Sequence, residues 1–368
     1  MSKKYTHLAW HLSYFSGKTR AYLRYKDIPY VEKAINFYNF AVQAKKKTGA
    51  AVMPIVVTPE GEWIQDTSVI IDRLEQRFPQ APVIPGTPVQ KMASYLLELW
   101  GDEWWLVVAM YTRWCHPENY PLFLNDAGKG LLPWMPTFLQ NRLGASAANQ
   151  MRAHLPGLGI TPESQNVIDR WTRDMLDLLD QHFAAHPFLF GDKPSLGDFG
   201  LMGPLHAHLG RDPWSKRELI DPRRNVRGWV DRMNQPKPLS GAFLPNDKIP
   251  DTMTPIFQAI FREILPWLSE TLRETNRVLP TLTPGRPLPR GLGQIEFPMG
   301  KGQYKRAALP YVLWMVQRIQ DTFKAMNAGE QEAVRDWLKA MGGEEFLDLN
   351  IPRLRRYGLR VGPELKAA

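Results

Sequence analysis

Residues 79–88 read PQAPVIPGTP, and the spacing of apolar residues changes across that stretch. Before it, short apolar runs alternate with amphipathic stretches; after it, helical spacing dominates for most of the remaining chain. One sequence that switches period at a proline-rich joint builds two unlike layers. The expected architecture is a compact α/β unit over residues 1–80, an all-α domain over 88–240, and an extra helical region over 241–368 packed on that helical domain.

Within the first unit, THLAWHL (6–12) reads as a buried strand. Residues 16–27 read as a helix with Tyr22, Leu23 and Tyr25 inside and Lys18, Arg24 and Lys26 outside. PYVEKAI (29–35) is a second strand, and a polar helix is expected over 39–48. AVMPIVVTPEGEWI then holds two strands joined by the turn Pro59-Glu60-Gly61. DTSVIIDRLEQRF (66–78) spaces Val69, Ile70, Ile71, Leu74 and Phe78 as one helix face and stops at Pro79.

Beyond the joint, 88–116 reads as one long apolar helix, and the Pro-, Gly- and Asn-rich 117–160 as an irregular insertion. Helices are expected at 162–185, 197–210, 222–234 and 252–278. After the connector LPTLTPGRPLPRGLG, QIEFPMG reads as a strand, followed by helices at 302–327 and 329–342.

Several functional classes drop out. No run of eighteen apolar residues is present, and the N-terminus has no long apolar leader core, so the expectation is a cytoplasmic protein without a membrane partner. The single cysteine, Cys115, excludes a disulfide framework and a multi-cysteine zinc site. The net charge is +9, but Lys and Arg are scattered, and the clusters at 45–47, 223–224 and 353–356 read as solvated faces. No nucleic-acid partner is expected. His7 and His11 lie about 13 Å apart in a strand and cannot share a metal; no metal is expected. Trp100, Trp104, Trp105, Trp114 and Tyr111 read as bundle core or as the wall of an apolar pocket, and Asp102 and Glu103 as paired surface acids.

Where the first strand turns into the first helix stands Ser13-Tyr14-Phe15-Ser16, two hydroxyls at the spacing of a C-x-x-C redox pair. Serines cannot exchange disulfides. A hydroxyl at a helix N-terminus can instead hydrogen-bond to another molecule's thiolate, with the helix dipole assisting.

The N-terminal unit resembles the thioredoxin-like glutathione-binding domain of the cytosolic glutathione transferases. Ser13 to Arg20 is similar to that family's S/C-x-x-x-x-x-x-R segment, at the family spacing from Ile28-Pro29-Tyr30. Val52-Met53-Pro54-Ile55 resembles its cis-proline element, and Asp66-Thr67 its acid–hydroxyl box at a helix start. FLFGDKPSLGDFGL (188–201) is similar to the capping segment of the family's helical domain. The resemblance implies a serine-type enzyme with Ser13 as the catalytic hydroxyl. Met53, Pro54, Asp66 and Thr67 would bind glutathione, and Tyr14 and Ser16 would support or cap. It further implies glutathione as co-substrate, a small apolar electrophile, conjugation or a related addition or elimination, and a homodimer. The family often has lysine where Val52 stands, so the cation for the glycyl carboxylate is Lys46, Lys47 or none. That departure and the non-standard insertion and C-terminal region favour the alternative, a catalytically weak binding or regulatory protein on the same fold.

Overall fold

The computed structural model describes residues 4–235, 241–283 and 285–364. The expected boundary at residue 240 lies outside the described residues.

The first layer is a four-stranded sheet in the order β2-β1-β3-β4, with β1 (Tyr5–Ala9), β2 (Tyr30–Ala34), β3 (Ile55–Val57) and β4 (Trp63–Gln65). β1 runs parallel to β2, and β3 is antiparallel to both β1 and β4. Three helices complete the unit: α1 (Tyr14–Tyr25), the short α2 (Lys45–Thr48) and α3 (Thr67–Arg77). This is the thioredoxin-like arrangement. Tyr22, Leu23, Ile70, Ile71 and Leu74 fill the space between α1, α3 and the sheet.

The helical layer begins at α4 (Pro88–Leu99). The single helix expected over 88–116 is interrupted by a π-wound turn at Trp100–Trp104 before α5 (Trp105–Trp114). There Gly101 meets Gly200, and a Cβ on Gly101 would stand 2.5 Å from the Gly200 carbonyl carbon. The 117–160 segment is not irregular: α6 (Tyr120–Leu131) and α7 (Thr137–Arg152) form a helical hairpin. Gly128 lets the two backbones touch, since its Cβ would lie 2.6 Å from the Gln140 carbonyl oxygen. Close packing through small residues overrides the poor helix propensity of the stretch. α8 (Gln165–Ala185), α9 (Leu196–Pro204), the short α10 (Pro213–Ser215) and α11 (Arg224–Met233) follow. Ser195 and Asp198 form the capping box that starts α9, as its sequence predicts.

The last third holds α12 (Thr254–Val278), α13 (Tyr311–Lys324) and α14 (Ala328–Met341), with two hairpins. In the first, β5 (Gln294–Met299) pairs with β6 (Gly302–Ala307), residues expected to be helical. In the second, β7 (Leu354–Tyr357) pairs with β8 (Arg360–Pro363). Trp104 joins this region to the bundle: it packs edge-on to Trp267 of α12 and against Phe297 of β5, both at 5.5 Å. Glu263 of α12 accepts from Trp171 Nε1 and from the Gly300 amide, both at 2.9 Å. The region also grips the α/β unit, which its sequence does not suggest.

Candidate active site

Sheet register alone gathers the candidate residues. Leu8 pairs with Ile55 and Ile55 with Gln65, so one end of the sheet brings together the exit of β1, the entry of β3 and the exit of β4. Ser13, Met53-Pro54 and Asp66-Thr67 follow or precede those three points in the chain.

Ser13 is the N-cap of α1, with extended backbone (φ −80°, ψ 128°); its Oγ accepts the Ser16 amide at 3.4 Å. The cap expected of Ser16 therefore belongs to Ser13. Ser16 is buried, and its hydroxyl has no partner among the described residues. Tyr14 turns the other way, donating to the Gly101 carbonyl and lying against Gly203 and the His208 ring. Burial, with Asp102 and Glu103 adding to it, pushes its phenol well above the ordinary range. Tyr14 thus serves the domain interface.

The Met53–Pro54 bond is cis, as the motif predicts. The Met53 amide and carbonyl make no hydrogen bond among the described residues, which leaves a backbone donor and acceptor beside Ser13's end of the sheet. Asp66 adopts φ 85°, a region that non-glycine residues rarely enter, and caps α3. Its Oδ1 accepts the Ser68 amide at 3.0 Å and the Val69 amide at 3.2 Å. Thr67, buried, is the first residue of α3, where the helix dipole favours an anion. Lys45, Lys46 and Lys47 are exposed along α2.

The other Asp66 oxygen is already taken. Oδ2 accepts the Tyr311 hydroxyl and stands 3.2 Å from Arg356 Nη1, both from the C-terminal region. Arg356 Nη2 also donates to the Gln65 carbonyl at 3.2 Å, and its guanidinium lies over the Trp314 ring at 5.2 Å. The turn between β7 and β8 rests on the chain before the cis proline: a Cβ on Gly358 would stand 3.0 Å from that of Ala50. The basic cluster at 353–356 is thus not wholly a solvated face. Its only signal in the sequence is the run of arginines, which names no partner.

Behind Asp66 lies a buried charge cluster. Lys18, expected outside, is fully buried, with Nζ 2.7 Å from Glu98 Oε1 and 2.6 Å from Asp102 Oδ2. Ser68 donates to Glu98 at 2.8 Å, and Arg318 of α13 bridges Glu98 at 3.2 Å and Asp72 at 2.7 Å. Burial alone would raise the Glu98 carboxyl, but Lys18 and Arg318 outweigh it and hold the group low. Burial dominates at Asp102 despite Lys18 and pushes its carboxyl up. Glu103 is pushed up to about 8, by burial first and then by Asp102. Asp102 and Glu103 are therefore interior acids rather than surface ones. Lys26, also expected outside, is buried on Glu75 at 2.8 Å.

Among the described residues no group of three or more His, Cys, Asp or Glu is placed to hold a metal ion, and no helix is long and apolar enough to cross a membrane. His7 is instead bonded to Glu32 at 2.9 Å and Thr19 at 2.8 Å.

The family comparisons agree with this geometry. The glutathione S-transferase N-terminal domain matches residues 8–82, and the C-terminal domain of the same family matches residues 172–232. The chain carries the two domains of the glutathione S-transferase superfamily. Failed axon connections of Drosophila melanogaster is 25% identical over 187 residues, 47% of this chain and 44% of that protein. The match thus spans less than half of that relative. Among solved structures, a glutathione S-transferase-like protein from Pseudomonas syringae is 18% identical over 63% of this chain and 66% of its own, with a TM-score of 0.41. The beta-etherase LigF from a Sphingobium strain is 17% identical over 63% and 95%, with a TM-score of 0.44. The two family matches bracket the α4–α7 segment and leave residues beyond 232 unmatched, where Tyr311 and Arg356 lie.

Proposed function

We propose that this chain binds glutathione at the sheet end formed by Ser13, Met53-Pro54 and Asp66-Thr67, and that Ser13 activates its thiol for attack on a small apolar electrophile. The observation that carries this reading is the hydrogen-bonding state of Ser13. Its cap uses an oxygen lone pair as acceptor, so the O–H remains to donate to a thiolate. The N-terminus of α1 adds its dipole to the same anion. The Met53 backbone suits the cysteinyl part of the peptide, the Asp66 carboxylate the γ-glutamyl ammonium, and the start of α3 the γ-glutamyl carboxylate. The thiolate would form the new bond to carbon, and a leaving group or an added proton would balance the charge.

The same reading takes residues 1–80 as the glutathione-binding domain, 88–240 as the helical domain and 241–368 as an appended region, in a cytoplasmic homodimer. Its test is the ultraviolet absorbance of the thiolate in the complex. Bound glutathione should ionise at lower pH than free glutathione, and Ser13→Ala should move that titration back up. An unchanged titration on binding defeats the proposal.

A second reading, a binding or regulatory protein with little turnover, is favoured by one observation: Arg356 and Tyr311 already fill the outer oxygen of Asp66. A complex that forms while the thiol titrates normally would support it.

A further inference from the structure

We propose that the β7–β8 hairpin plugs the glutathione site from within the chain, and that Arg356 and the γ-glutamyl ammonium compete for the same oxygen of Asp66. The proposal rests on the reading of Asp66 as the acceptor for that ammonium.

Asp66 has two oxygens and a fixed division of work. Oδ1 is committed to the Ser68 and Val69 amides at the start of α3. Oδ2 is what remains for a ligand, and it holds the Tyr311 hydroxyl and the Arg356 guanidinium. A guanidinium on a carboxylate supplies the charge and donors that an ammonium would bring, so the two are alternatives. The hairpin covers more than one point of the site. Arg356 also holds Gln65, and the Gly358 turn leans on Gly49 and Ala50, just before the cis proline.

The construction suits a plug whose strands stay docked while the Arg356 side chain withdraws. At the base, the Gln317 side chain of α13 donates to the Leu354 carbonyl at 3.0 Å and accepts its amide at 2.9 Å. On the rung that pairs Val361 with Arg356, the Leu288 amide holds the Val361 carbonyl at 2.8 Å, so the backbone there is docked too and the movement falls to the Arg356 side chain. At the tip, the Arg356–Asp66 pair is partly wet, with side chains 19% and 15% exposed, and pairs reached by water are weak. Once Arg356 withdraws, the Tyr311 hydroxyl remains on Asp66 as a donor and the ammonium takes the guanidinium's place. Glutathione then meets a site populated only in the open fraction, which weakens its apparent affinity by that fraction.

The test is calorimetric titration of the full-length chain with reduced glutathione, comparing the wild type with Arg356→Gln. Glutamine keeps the stem as far as the δ carbon, stops short of Asp66 and removes the charge. The expected result is binding about tenfold tighter, or more, in the variant. Arg356→Lys, which keeps the charge and loses the fork to Gln65, should fall between the two; it decides the matter if Arg356→Gln does not fold by circular dichroism. Equal affinity in wild type and variant overturns the plug and leaves the glutathione reading intact. Weaker binding in the variant makes Arg356 a ligand of glutathione and likewise overturns the plug. No binding by any of the three at millimolar glutathione overturns the glutathione reading, and the plug with it.

Discussion

Ser13 Oγ accepts the Ser16 amide at 3.4 Å, so one serine caps the helix and keeps its proton for a ligand, while the other contributes only its backbone. Ser13→Ala should therefore act twice. Loss of the cap should cost about 1 kcal/mol of stability. Loss of a donor to the thiolate should cut turnover at neutral pH by roughly ten- to a hundredfold, with little change in glutathione affinity. Ser16→Ala keeps the amide that the cap uses and should leave both nearly unchanged. Steady-state kinetics with thermal melts of the two variants check the pair of outcomes.

Asp66→Asn keeps an oxygen for the Ser68 and Val69 amides and removes the charge that an ammonium needs. Glutathione affinity should fall by about tenfold or more, while the activity that remains at saturation is largely preserved. A loss of kcat at unchanged affinity would remove Asp66 from the binding role.

Lys18→Met leaves Glu98 and Asp102 buried with one cation fewer. Lys18 and Glu98 are both fully buried, so stability should drop by about 3–5 kcal/mol, the cost of breaking one side of a buried pair. Urea denaturation reads this directly. A change below 1 kcal/mol would mean that Asp102 takes up a proton and neutralises the site.

The pH dependence of stability has a defined sign. Glu103 is raised from 4.5 to about 8, and Asp102 from 3.8 to about 7, mainly by burial. In that window the native state holds protons that the unfolded chain has released. Stability is therefore highest near the unfolded values and falls as pH rises toward 8. The melting temperature should decline from pH 5.5 to pH 8.5, and Glu103→Gln should flatten the decline. Glu32 works oppositely on the acid side. Burial would raise it, but hydrogen bonds from His7 and Arg20 hold it at about 2, so its contribution is lost as pH falls from 4.5 toward that value.

Local pattern carries the α/β unit and the backbone geometry of its candidate site because both are local. Ser13, the cis Met53–Pro54 bond and the Asp66 cap each belong to a few consecutive residues whose backbone geometry their own sequence dictates. The α6–α7 hairpin was not legible, because prolines and glycines argue against helix until Gly128 is seen touching Gln140. β6 reads as helix in the sequence because GQYKRA shows its alternation only once Tyr304 and Arg306 are both seen to be buried. Lys18 and Arg356 look solvent-facing in any window of sequence. Their partners lie 80 residues on, at Glu98, and far back at Asp66, and no short-range rule connects charges across such distances.

Arg318 bears on how the protein is made. Its guanidinium neutralises Glu98, 220 residues earlier, and Asp72, 246 residues earlier. Glu98 also has Lys18, made before it, but Asp72 leaves the ribosome long before Arg318 does. The Asp72 side of the seam between α3 and α4 therefore lacks this cation until most of the chain has been synthesised. Domains of such chains ordinarily fold in turn as they emerge. Here the α3–α4 seam gains its Arg318 contacts only once the region that the family matches do not reach has been made.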